Sequence, residues 1–122
     1  MKEVPPMILV SNQLVGAPVG TNVTIDCQTE AHPKAIIYWM FGDVMILSSN
    51  KHYTEILDSS YKVHMKLTVN NLQSDDFGTY RCISKNSLGE TEGTIRLYEI
   101  IMPSASSRKW ETKINQFNRE GT

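Results

Sequence analysis

DDFGTYRC, residues 75–82, contains one of only 2 cysteines in a chain of 122 residues. Tyr80 stands two positions before Cys82, and Gly78 and Asp76 precede it at the same interval. On an extended chain these four residues share one face. A phenol on a buried face needs a partner for its hydroxyl, since an unpaired buried polar group costs about 1–3 kcal/mol. The other cysteine, Cys27, ends the run VTIDC (23–27), in which Val23, Ile25 and Cys27 alternate with Thr24 and Asp26. Trp39 lies between the two cysteines, inside the apolar run AIIYWMF (35–41). Such a pattern belongs to strands.

The remaining runs agree. VMIL (44–47) follows a Gly42-Asp43 turn, and VHMKLTV (63–69) puts Val63, Met65, Leu67 and Val69 on one face. GTYRCIS (78–84) and GTIRLYEI (93–100) complete the set. Turn signals fall about every 8–12 residues, the spacing of an all-β sandwich or barrel. KNSLGE (85–90) is short enough for a hairpin connection, with Gly89 to supply a left-handed residue. No apolar stripe at i, i+3, i+4, i+7 runs the length of a helix through this region. The fold class is all-β.

Cysteine, tryptophan and cysteine in this order, within about seven strands, mark an immunoglobulin-like β-sandwich of two antiparallel sheets. Cys27 and Cys82 would form its inter-sheet disulfide, with Trp39 packed on the sulfurs. Tyr80 would then be the tyrosine corner, its hydroxyl bonded to backbone a few residues upstream. Gly78 allows close approach at that corner. Asp76 is placed to accept from the turn's own amides or from a base across the sandwich, Lys51 or Lys62. A disulfide closing a loop of this length stabilises a fold by about 4 kcal/mol. An intact bridge implies an oxidising compartment. The alternative is a cytosolic module of a muscle-type repeat protein with reduced cysteines.

Composition removes several functions. A net charge of −1 and a pI of about 6.3 offer nothing to nucleic acid or an anionic membrane. No run of about 18 apolar residues is present for a membrane-spanning helix. The first residues, MKEVPPMILVSNQLVG, lack the apolar core of a secretory leader, so a role outside the cell implies a longer precursor. His32, His52 and His64 are scattered, and no zinc spacing or nucleophile motif appears. The expectation is a non-enzyme without cofactor or metal. Asn22-Val23-Thr24 is the one N-glycosylation sequon, a triplet that chance alone would also supply.

Residues 1–4 read as an N-terminal linker, 5–101 as the domain and 102–122 as a polar stalk or tail. In that tail Trp110, Ile114 and Phe117 fall on one helical face with Ser106 or Ser107 as cap. An isolated helix of this length is marginal in water, which favours the tail reading.

LTVNNLQSDDFGTYRCISKNSLGE (67–90), with PPMI (5–8), GTNVTIDCQTEAHPKAIIYW (20–39) and GTIRLYEI (93–100), resembles an intermediate-set (I-set) immunoglobulin domain. More narrowly it is similar to the third, membrane-proximal domain of the lachesin and Dpr-interacting-protein group, relatives of the vertebrate IgLON (neurotrimin-like) proteins. The resemblance implies a neuronal cell-surface adhesion protein of three such domains, located at the plasma membrane and tethered by a lipid anchor. Its partners would be other immunoglobulin-domain cell-surface proteins, met mainly through a first domain that this chain does not contain. The membrane would be reached only through an anchor downstream of residue 122.

One face remains to be weighed. With Trp39, Cys82, Ile95 and Leu97 inward, Tyr38, Met40, Arg81, Ile83, Arg96 and Tyr98 point outward from one sheet, with Met45 or Ile46 beside them. Tyr, Met, Ile and Arg match interface composition. Scattered apolar surface residues are also ordinary. Weak self-association through this face is one expectation, and a spacer that binds nothing is the other.

Overall fold

The computed structural model describes residues 3–101. The expected stalk or tail at 102–122, with its Trp110-Ile114-Phe117 stripe, lies outside the described residues, as do residues 1 and 2.

Nine strands are present among the described residues: β1 (Val4–Val10), β2 (Leu14–Ala17), β3 (Val23–His32), β4 (Ile36–Phe41), β5 (Val44–Ile46), β6 (His52–Ser59), β7 (Lys62–Val69), β8 (Gly78–Asn86) and β9 (Gly89–Glu99). One sheet runs β1-β3-β7-β6 and the other β2-β9-β8-β4-β5. Strand pairs are antiparallel except β2 with β9, which is parallel because the chain changes sheets between β1 and β2.

Alternation explains the central strands. On β7, Val63, Met65, Leu67 and Val69 are buried while Lys62, His64, Lys66 and Thr68 face outward. Three edge strands escaped the pattern. β1 carries Pro5 and Pro6, which have no N–H to donate, and its register with β3 shifts between Val4 and Met7. β2 has only 4 residues. β6 buries none of its side chains fully, so its period-2 contrast is weak.

Two rungs join β3 of one sheet to β8 of the other. Cys27 and Cys82 are bonded, with Cα atoms 6.6 Å apart. Two residues further along both strands, Thr29 Oγ1 donates to Ser84 Oγ at 2.7 Å, and both residues are buried. Trp39 is buried in the same core and sits opposite Cys82 in the β4–β8 register.

Tyr80 is completely buried, and its hydroxyl donates to the Asp76 carbonyl at 2.6 Å. Asp76 is not on β8. It ends a single 3₁₀ turn (Ser74–Asp76), so only Gly78, Tyr80 and Cys82 share the strand face. Its carboxylate accepts from the Gln73 N–H at 2.7 Å and pairs with Lys51 Nζ at 2.6 Å. Lys51 is therefore the base, and it also donates to the Asn71 carbonyl at 2.8 Å. Lys62 is elsewhere, at the start of β7 opposite Glu30. Gly78 has φ of +148°, and a Cβ there would stand 3.1 Å from the Phe41 ring. That ring packs on Tyr80 with centroids 4.5 Å apart. Gly89 does not take the expected left-handed role: positive φ among the described glycines falls at Gly20, Gly42 and Gly78. The β8–β9 connection is held instead by Asn86 Oδ1, which accepts from the Leu88 N–H at 2.8 Å.

These bonds give two expected outcomes. Thr29→Val leaves Ser84 with an unpaired buried hydroxyl and costs about 1–3 kcal/mol, whereas Thr29→Val with Ser84→Ala costs less than the two single changes summed. Denaturant unfolding of the three variants reads this directly. Tyr80→Phe costs about 1–3 kcal/mol by the same measurement. Burial, reinforced by the Asp76 charge, pushes the Tyr80 phenol far above its ordinary value of 10.0. The unfolded phenol ionises near that value while the folded one stays protonated, so stability falls as pH rises past it. Tyr80→Phe removes that part of the alkaline loss.

Candidate interaction face

The outer face of the five-stranded sheet is built by register. Met45 on β5 lies opposite Met40 on β4, which lies opposite Arg81 on β8, which lies opposite Thr94 on β9. The next row joins Tyr38, Ile83 and Glu92, and the one beyond it Ile36, Lys85 and Glu90. On the other side Thr79 faces Arg96, and Arg96 faces Leu14. Gly16 is paired with Tyr98, and a Cβ on it would come 2.5 Å from the Tyr98 ring. The absence of a side chain at Gly16 leaves the space that ring occupies. Met45, not Ile46, is the β5 residue on this face, since Ile46 packs toward the core.

Five of the six expected residues are open to solvent in some degree: Tyr38, Met40 and Arg81 are half-buried, Arg96 and Tyr98 exposed. Ile83 is the correction. It has the outward parity but is only 6% exposed. β8 is the middle strand of the sheet, with Tyr38 and Glu92 as cross-strand neighbours on either side, so the isoleucine is flanked by side chains on both adjacent strands. Sequence reading did not single out Ile36 and Leu14, which are 69% and 63% exposed and, with the anticipated Met45 at 50%, extend the apolar part of the face. The signal was the parity of their own strands, hidden for Leu14 because β2 was not anticipated.

Charge on the face is largely internal. Arg81 Nη1 donates to Glu92 Oε2 at 2.9 Å, and Arg81 Nη2 to the Gly42 carbonyl at 3.0 Å. Lys85 and Glu90 stand 3.8 Å apart. The arrangement combines apolar rows with paired charges, a composition suited to contact with another surface. His64 lies on the opposite sheet with Nε2 2.6 Å from Asp26 Oδ2, and His32 packs on Tyr61 with ring centroids 4.8 Å apart. Burial lowers the pKa of His52, opposed by Asp76 and assisted by Lys51. Among the described residues no group of three His, Cys, Asp or Glu could hold a metal ion.

The immunoglobulin domain family model matches residues 5–86. Lachesin of Schistocerca americana is 30% identical over 102 residues, which is 83% of this chain and 29% of the lachesin. A chain in the crystal structure of Dpr2 Ig1-Ig2 in complex with DIP-Theta Ig1-Ig3 superposes with a TM-score of 0.78 at 49% identity, covering 80% of this chain and 33% of that one. The titin tandem A164-A165 superposes with a TM-score of 0.71 at 27% identity, over 85% of this chain and 51% of that one. The chain thus spans under a third of the lachesin it matches. With the sandwich, its bridge and its tyrosine corner in place, the match over most of the domain is decisive: this chain belongs to the immunoglobulin domain family.

Proposed function

We propose that this chain is an extracellular immunoglobulin domain of a neuronal cell-surface adhesion and recognition protein, in the membrane-proximal position of its ectodomain. The observation that carries the reading is 49% identity, over 80% of the chain, to a chain in the Dpr2–DIP-Theta complex. This domain covers 33% of that chain, the share expected of one domain in a three-domain array. Titin, at 27% identity, favours the cytosolic alternative less. A bonded Cys27–Cys82 pair suits an oxidising compartment. The domain acts as a spacer that holds the distal domains away from the membrane, attached through a lipid anchor downstream. Its partners are other immunoglobulin-domain proteins of the cell surface, reached mainly by domains outside this chain.

The outer face of the five-stranded sheet adds weak side-by-side self-association. Its apolar residues lie in adjacent rows, and the charges beside them, Arg81 with Glu92 and Lys85 with Glu90, are paired within the face.

An antibody against this domain should label unpermeabilised neurons that express the full-length protein; label that appears only after permeabilisation overturns the extracellular reading. Sedimentation of the chain should show concentration-dependent association that Met40→Glu with Met45→Glu abolishes. Identical sedimentation of wild type and variant returns the face to a plain spacer surface. Ile83→Glu is no substitute for that pair, because a charge forced into its buried position costs at least about 2 kcal/mol and unfolding would follow.

A further inference from the structure

We infer that Asn22 carries an N-linked oligosaccharide at the end of the sandwich where the chain leaves β9, an inference that rests on the extracellular reading above. Asn22 is exposed and lies in the connection between β2 and β3. That connection is firmly held. Gly20 N–H donates to the Leu72 carbonyl at 2.8 Å, Leu72 N–H to the Thr21 carbonyl at 2.9 Å, and Thr21 Oγ1 to the Pro18 carbonyl at 2.7 Å. The Asn22 side chain is fixed through its oxygen: Oδ1 accepts from the Asn71 N–H at 2.8 Å. Glycosylation takes place at the other atom of the amide, Nδ2, so this bond survives modification and the fold loses nothing. The third residue of the sequon, Thr24, has its hydroxyl 2.8 Å from that of Thr68 across the β3–β7 pair. Both recognition groups are therefore engaged in the folded domain, which places the transfer on the unfolded chain during secretion.

The chemistry is a substitution without redox change. An Nδ2–H bond is replaced by a bond from Nδ2 to C1 of the reducing-end sugar of a polyprenyl-pyrophosphate-linked oligosaccharide. The C1–O bond to the pyrophosphate breaks, the polyprenyl pyrophosphate leaves with the electron pair, and the amide proton passes to a base. Position gives the sugar a consequence. Ile100 N–H donates to the Ala17 carbonyl at 2.9 Å, so β9 ends beside the Pro18–Asn22 turn. Val19, Ile100 and Ile101 are exposed apolar residues of that end. The sugar stands by them, and it leaves the outer face of the five-stranded sheet open, because Asn22 leads into β3 of the other sheet.

The test is peptide mapping of the chain secreted from insect cells behind a secretory leader, before and after amidase removal of N-linked sugar, with parallel thiol alkylation. The expected result is a sugar at Asn22, whose removal by the amidase leaves aspartate at position 22. Asn22→Asp is the matched variant: its carboxylate keeps the acceptor for the Asn71 N–H, so it should unfold at the wild-type denaturant midpoint while carrying no sugar. Thr24→Val should also lose the sugar and Thr24→Ser should keep it, which covers a folding failure of the first variant. Blocked thiols with a bare Asn22 overturn this inference and leave the extracellular reading standing. Free thiols with a bare Asn22 overturn both.

Discussion

Everything in this domain is arranged around the place where β3 and β8 face each other across the two sheets. The covalent rung between Cys27 and Cys82 sets their separation at one point. A single bond would still allow the sheets to pivot about it. The Thr29–Ser84 hydrogen bond, one strand period away, supplies a second buried point and removes much of that freedom. Trp39 fills the space beside the bridge from the neighbouring strand. The polar pair is suited to this place because each hydroxyl satisfies the other, so neither is a desolvated orphan.

Fixing β8 in this way determines what its outer side presents. Tyr80 and Cys82 are committed to the core, so Arg81 and Ile83 must take the outward side. Whether an outward residue is reachable depends on its neighbours rather than its parity. Arg81 is long, reaches across the sheet and pairs with Glu92. Ile83 is shorter and sits in the middle of the sheet, where it is covered. Apolar exposure therefore moves to the flanks, to Ile36, Met45 and Leu14, and the charges between them are largely neutralised in place. A surface of that kind suits weak lateral contact better than tight recognition.

The lower end of the sandwich is organised by polar contacts. Asp76 receives the Gln73 amide and Lys51 on its carboxylate while its carbonyl anchors Tyr80, so one residue ties the 3₁₀ turn, the segment before β6 and the core tyrosine together. Asn71 and Asn22 carry the same network to the turn before β3. That end is held by hydrogen bonds and an ion pair between segments far apart in the chain, which fits the spacer role proposed above.

The residues from Cys27 to Cys82 by themselves determined the class of fold, the bridge, the buried tryptophan and the tyrosine corner, because each of these expresses a local rule. A thiol pair, a period of two and a phenol in need of an acceptor are all visible along the chain. Three of the four edge strands were hidden, since prolines in β1, brevity in β2 and general exposure in β6 erase the alternation that reveals a central strand. Only the tertiary structure could choose Lys51 over Lys62 for Asp76, pair Thr29 with Ser84, and cover Ile83 on a face its parity marks as open. Those outcomes rest on which strands become neighbours and in what register, and both are properties of residues far apart in the chain that meet only once the two sheets have closed on each other.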